Sequence, residues 1–236
     1  MDILEGSVLF LDKPYNWTSF DLVRKVQNMV MKAYNCKKIK IGHAGTLDPL
    51  ADGLMILCTG KKTKEIDSYQ AKEKEYIAKI FIGATTPSFD LETEIDAEYE
   101  TGHITKQLFE ETVKTFIGTQ EQTPPSFSAK KIDGKRAYKK ARKGEMVEIK
   151  PVTIDIPLLE VVNFEMPYAE IKIVCSKGTY IRSLTHDIGK ALGSGAYMAG
   201  LKRTRIGEYK LEDALSIDQL RNIIWEAAGS PAETIA

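Results

Sequence analysis

Between residues 42 and 53 the chain reads Gly-His-Ala-Gly-Thr-Leu-Asp-Pro-Leu-Ala-Asp-Gly, a stretch that a long helix or strand cannot absorb. Gly42, Gly45, Pro49 and Gly53 punctuate it, so residues 35–53 are expected to be mostly loop. Pro49 excludes the α region for its predecessor, which holds Asp48 extended. Gly42 and Gly45 allow close backbone approach by a ligand, and Gly53 lets the chain turn back into a strand. An acidic side chain on a stiff, glycine-flanked loop suits nucleophilic or general-base chemistry. An aspartate before proline serves a plain turn equally well, and the loop alone does not choose.

Regular structure is expected on both sides. Residues 7–11 read as a buried strand ended by Asp12-Lys13-Pro14. A helix follows, with Thr18 as its cap, Asp21 at the third position and Leu22, Val26, Met29 and Ala33 at helical spacing. Residues 54–58 and 76–82 read as strands, the second with Tyr76, Ala78, Ile80 and Ile82 on one face. A helix over 105–117 runs through Leu108, Phe109, Val113 and Phe116, and 123–129 is a loop leading into a basic helix at about 136–143. Strands are expected at 146–154, 157–164 and 169–175, and then a helix over 180–192 with Ile181, Leu184, Ile188 and Leu192 as its apolar stripe. A strand near 197–210 precedes a last helix opened by the capping box Ser216-x-x-Gln219. Strands in runs with helices between some of them predict an α+β fold with a mixed, largely antiparallel sheet. One domain over residues 1–236 is expected, with a basic insertion at about 122–145.

The formal net charge is zero, which on its face speaks against a nucleic-acid partner. The distribution speaks for one. Residues 130–143 hold Lys130, Lys131, Lys135, Arg136, Lys139, Lys140, Arg142 and Lys143 against Asp133, a local +7, and residues 90–111 carry a matching −7. A local field survives such a cancellation. From charge alone, the basic block is an RNA-binding surface or a solvated lysine-rich helix. Cys36, Cys58 and Cys175 lack Cys-x-x-Cys spacing, which favours reduced thiols in the cytoplasm over a disulfide framework or a zinc site. No apolar run is long enough to span a membrane, and the first residues do not read as a secretory signal.

Other motifs fail on spacing. Gly60-Lys61-Lys62-Thr63 resembles the end of a phosphate-binding loop, but position 55, where a glycine is required, is Met55. Gly193-Ser194-Gly195 has Met198 in place of the third glycine of a dinucleotide fingerprint, and no Gly-x-Ser-x-Gly is present. His43, His103 and His186 are scattered rather than clustered. His186 and Asp187 are neighbours on a helix and point different ways, leaving His186 as a helix-surface residue.

Taken together, residues 42–53 and five further segments in order resemble the TruB family of tRNA pseudouridine-55 synthases. Leu11-Asp12-Lys13-Pro14 with Trp17-Thr18-Ser19 resembles the family's N-terminal motif. Lys74-Glu75-Tyr76, with Gly83-x-x-Thr86-x-Ser88-x-Asp90, resembles its second motif, and Gln122-Thr123-Pro124-Pro125-x-Phe127-Ser128-Ala129 the start of its thumb. Cys175-x-Lys177-Gly178-Thr179-Tyr180-Ile181-Arg182-Ser183-Leu184 and Leu201-x-Arg203-Thr204 resemble its third motif and closing strand.

The resemblance implies the pseudouridine synthase fold and isomerisation of uridine to pseudouridine in the tRNA T-loop, with base flipping and no cofactor or metal. It implies Asp48 as nucleophile, Arg182 as its ionic partner, and Tyr76 stacked on the base near the C5 proton. It makes Tyr180 and Leu201 pocket residues and His43 the occupant of the space left by the flipped uridine. Lys13 and Asp90 support the loop or touch substrate. Lys130, Lys139, Lys140 and Arg142 fall where the family's thumb pinches the RNA stem-loop. No membrane and no obligate protein partner is implied, and the location is the cytoplasm. Two departures stand out: the residues after Asp213 are too few for the C-terminal RNA-binding PUA module that many relatives carry, and Pro87 stands where an aspartate is expected. A tRNA-folding chaperone that keeps the fold without depending on catalysis is the competing expectation.

Overall fold

The computed structural model describes residues 2–127, 131–132, 135–136 and 149–229. In chain order its elements begin with strand β1 (Val8–Lys13), helix α1 (Ser19–Ala33), β2 (Ile41–His43) and β3 (Ala51–Thr59). A 3-10 turn (Gly60–Glu65), α2 (Ile66–Ala71), β4 (Lys74–Ile82), β5 (Ala84–Thr85), β6 (Ala97–Glu98) and α3 (Lys106–Lys114) follow. Next come β7 (Gly118–Gln122), β8 (Lys131–Ile132), β9 (Lys135–Arg136), β10 (Val152–Ile156), β11 (Leu158–Glu165) and β12 (Tyr168–Cys175). The chain closes with α4 (Ile181–Ala191), β13 (Ala196–Ile206), β14 (Tyr209–Lys210) and α5 (Ile217–Ala227). It divides into two compact units, Met1–Lys74 with Lys202–Ala236, and Glu75–Leu201.

In the first unit the strand order is β1-β3-β13, with β2 also on β3 and β14 on β13. β1 and β3 are antiparallel, with Val8 opposite Cys58 and Lys13 opposite Gly53. The central strand β3 is buried along nearly its whole length, as a strand covered on both faces must be. Ala44, Leu54, Ile56, Cys58 and Ile206 form one cluster, on which Phe10, Tyr69 and Tyr209 pack. The helix expected after Pro14 forms with a complete Thr18–Asp21 capping box, and Leu22, Val26, Met29 and Ala33 are all buried. The Ser216–Gln219 box caps α5 in the same way.

In the second unit the order is β13-β4-β12-β11. Tyr76, Ala78, Ile80 and Ile82 of β4 are buried, as alternation predicts, and Ile181, Leu184 and Ile188 form the buried stripe of α4. The β11–β12 hairpin and the separate pairs β10–β7 and β5–β6 are antiparallel, while Asp90–Met198 is an isolated parallel bridge. The architecture is the expected α+β with a mixed, largely antiparallel sheet.

Three local expectations are corrected. The strand expected at 146–154 is Val152–Ile156, because Pro151 has no N–H to give to a ladder; residues 146–148 lie outside the described ones. The loop expected over 35–53 contains β2 and the start of β3. The strand expected over 197–210 folds back at Gly207 (φ +55°) into a hairpin, Ile206 opposite Tyr209. The segment 60–71, which has no periodic signal and for which no element is expected, is a 3-10 turn running into a short helix. The basic helix expected at about 136–143 lies outside the described residues except for Arg136, which is in strand β9.

Candidate active site

In the first unit, the loop that carries Asp48 is held along its backbone. The Ala44 N–H donates to Ile56 O at 2.9 Å, and the Asn16 N–H donates to Pro49 O at 2.9 Å. Ala51 N–H closes a turn onto Asp48 O at 3.1 Å. Leu47 is buried, and the Ser19 hydroxyl both accepts from its N–H and donates to its carbonyl, each at 2.9 Å. Arg203, 1 % exposed, donates from Nε to Leu54 O at 2.7 Å and from Nη2 to Gly45 O at 3.2 Å. Asp48 itself is half-buried. A carboxylate on so constrained a backbone meets the first requirement of a positioned nucleophile, a small loss of freedom on reaching the reactive geometry.

Gly42 and Gly53 of this loop serve protein packing. A Cβ on Gly53 (φ +101°) would stand 2.4 Å from the carbonyl oxygen of Arg203, so the close approach is between two backbones. A Cβ on Gly42 would meet the Ile66 side chain at 2.6 Å. The ligand approach expected at Gly42 is thus taken up by Ile66.

Lys13 is fully buried and donates from Nζ to Pro14 O at 2.9 Å and to Trp17 O at 2.6 Å. Burial pushes its ammonium down to about 8, against the pull of the Asp52 and Asp48 carboxylates. These two bonds hold the turn at residues 14–17. His43 ends β2, and burial followed by the Arg203 charge lowers its pKa, which favours the neutral imidazole.

In the second unit, Arg182 is on the first turn of α4, 4 % exposed. Its Nη1 donates to Ser88 O at 3.1 Å and lies 3.5 Å from Asp90 Oδ2, and its Nη2 donates to Phe127 O at 2.8 Å. Asp90, 2 % exposed, accepts the Glu92 N–H on Oδ1 at 2.9 Å. Asp90 is therefore a partner of Arg182. The Tyr180 backbone is gripped by the Gln122 amide, which accepts its N–H at 2.8 Å and donates to its carbonyl at 3.0 Å. Ser183 Oγ donates to Thr123 O at 2.8 Å. With the Arg182–Phe127 bond, four bonds thus root the 122–127 segment on the start of α4. Tyr76 is buried in β4, and Leu201 is half-buried in β13. Lys130, Lys139, Lys140 and Arg142 lie outside the described residues.

The model of the TruB family pseudouridylate synthase N-terminal domain matches residues 31–181, and that of the tRNA pseudouridylate synthase B C-terminal domain matches residues 182–235. The chain belongs to the TruB family. It is 56 % identical over 224 residues to tRNA pseudouridine synthase B of Parabacteroides distasonis, covering 95 % of each chain. It is 50 % identical over 217 residues to the Flavobacterium johnsoniae protein of the same name, covering 92 % of this chain and 95 % of that one. Among solved structures it is similar to a chain of a Cbf5-Nop10-Gar1 complex (TM-score 0.69, 27 % identity), covering 97 % of this chain and 58 % of that one. A chain of an H/ACA RNP bound to a substrate RNA containing 2'-deoxyuridine is similar too (TM-score 0.68, 27 % identity), with 97 % and 57 % covered.

Within the TruB frame, the sequence motifs contain residues whose work only the fold reveals. Arg203 reads in its motif as one basic residue of a strand, yet it is the buried support of the Asp48 loop. Ser19 reads as part of a helix start. Gln122 reads as the edge of a loop. Their shared signal is a polar residue inside a family motif with no local partner to satisfy it. His186 departs from the surface reading: it is half-buried and stacked on Phe89. Among the described residues no group of three His, Cys, Asp or Glu side chains could hold a metal ion, and no helix is long and apolar enough to cross a membrane.

Proposed function

We propose that this TruB-family protein isomerises uridine to pseudouridine in tRNA, at position 55 of the T-loop, with Asp48 as the nucleophile. In the reaction the bond from ribose C1′ to uracil N1 breaks, the base turns, C1′ bonds to C5, and the C5 proton leaves while N1 gains one. Nothing is oxidised and no group is transferred, so the protein's task is to position, to supply a nucleophile and to move a proton. Arg182 keeps the Asp48 carboxylate ionised, since a nearby guanidinium favours the charged form. Tyr76 stacks on the base and assists proton movement at C5, with Tyr180 and Leu201 against it. His43 fills the space the uridine leaves. Extruding a stacked base costs a few kcal/mol, which contacts from the thumb residues Lys130, Lys139, Lys140 and Arg142 to phosphate offset. The protein works in the cytoplasm on the T-stem-loop, with no obligate protein partner.

The observation that carries this reading is the pinning of the Asp48 loop by Ser19, Asn16 and Arg203. Relatives at 50 % and 56 % identity named tRNA pseudouridine synthase B support the substrate class. The test is release of tritium from C5-labelled uridine in a tRNA transcript. Release is expected from the pure protein, and Asp48→Asn is expected to abolish it with tRNA binding largely kept. Near-normal release by that variant overturns the nucleophile assignment. Binding and folding of tRNA without release by the parent protein leaves the chaperone reading in its place.

A further inference from the structure

Phe89 has φ +63°, in the left-handed region that bulky side chains rarely adopt. Such strain persists only where the surroundings hold it, and it concentrates at functional sites. Two backbone bonds set it here: Phe89 N–H closes a turn onto Thr86 O at 3.0 Å, and Phe89 O accepts from Met198 N at 2.9 Å. Pro87 occupies the second position of that turn, where its fixed φ fits. The ring of Phe89 lies flat on the imidazole of His186, centroids 4.0 Å apart and planes at 17°.

The residues on either side of Phe89 both hold Arg182 Nη1, Ser88 through its carbonyl and Asp90 through Oδ2, while Phe127 O takes Nη2. Arg182 and His186 are four apart on α4 and so share a face. One helix face therefore grips three consecutive residues, the guanidinium taking 88 and 90 and the imidazole taking 89. A turn that relaxed to a right-handed Phe89 would rotate Ser88 O and Asp90 away from the guanidinium. His186 Nδ1 is buried without a hydrogen-bond partner, so that nitrogen does not explain the ring's placement, whereas its flat face does.

We propose that His186 is a positioning residue for Arg182: its stack on Phe89 holds the strained turn in the conformation from which Ser88 and Asp90 orient the guanidinium. The inference rests on the role given to Arg182 above. A stack that merely packed would affect stability alone, and replacing Phe89 by glycine would then help by removing the left-handed strain. The test measures tritium release and tRNA affinity for Arg182→Lys, His186→Ala, His186→Phe and Phe89→Gly. Expected are a fall in kcat of roughly tenfold to a hundredfold for His186→Ala with KM little changed, recovery in His186→Phe because a flat ring returns, and a similar fall in Phe89→Gly. Wild-type kcat in His186→Ala, or in folded Phe89→Gly, overturns the inference while an inactive Arg182→Lys keeps the reading of Arg182. Wild-type activity in Arg182→Lys overturns that reading itself. If His186→Ala fails to fold, the His186→Phe and Phe89→Gly pair decides.

Discussion

The Ser19 hydroxyl stands 2.9 Å from both the amide nitrogen and the carbonyl oxygen of Leu47, across 28 residues of chain. One side chain at the start of α1 thereby satisfies both backbone groups of the residue before Asp48. Ser19→Ala leaves two buried groups without that partner. A loss of about 1–3 kcal/mol in urea denaturation is expected, with a fall in kcat and little change in tRNA affinity. Unchanged kcat would show that the loop keeps its geometry without this clamp.

Gly53 and Gly45 both have positive φ, +101° and +97°, but differ in what an added Cβ would meet. At Gly53 it meets the backbone of Arg203 at 2.4 Å; at Gly45 the nearest atom is Arg203 Nη1 at 3.5 Å. Both alanine variants carry the left-handed penalty, more than about 1 kcal/mol. Gly53→Ala should lose clearly more stability than Gly45→Ala, and should lose activity with it, because it displaces the residue that supports the loop. Equal losses in denaturation would contradict this.

Lys13 carries a pH signature. Burial pushes its ammonium down from 10.5 to about 8. Between those values the unfolded chain still holds a proton that the folded chain has released, so this residue makes stability rise with pH across that window and leaves it flat below. The Cys58 thiol, pushed by burial from 9.0 up to about 11, acts in the opposite sense at the alkaline end. Comparing the protein with Lys13→Arg, which stays charged, isolates the lysine's contribution. The difference in unfolding free energy should grow from pH 8 to 10.5, and a constant difference would refute the shift.

Neutralising Lys139, Lys140 and Arg142 together tests the basic segment. Every phosphate that the protein then leaves to its counterions should flatten the log–log salt dependence of tRNA binding by about 0.7 to 0.9. An unchanged slope returns these residues to a solvated surface.

What could be read from the sequence lies within a few residues of itself. The α1 and α5 capping boxes, the period of α4 and the alternation of β4 are signals between neighbours three, four or two positions apart, and each appears in the structure. The loop around Asp48 was legible for a like reason, since Pro49 restricts its own neighbour and Gly45 and Gly53 permit the positive φ that other residues avoid. The supports of that motif were not. Arg203 reaches Leu54 and Gly45 across 149 and 158 residues, and Lys13 occupies a buried register of β1 that alternation would assign to an apolar side chain. A buried polar group is stable only where its partners come to it. Sequence determined which residues form the Asp48 loop and which helices and strands surround it. Tertiary structure alone decided what holds that loop still and which groups hold Arg182, because those partners meet only when distant parts of the chain pack together.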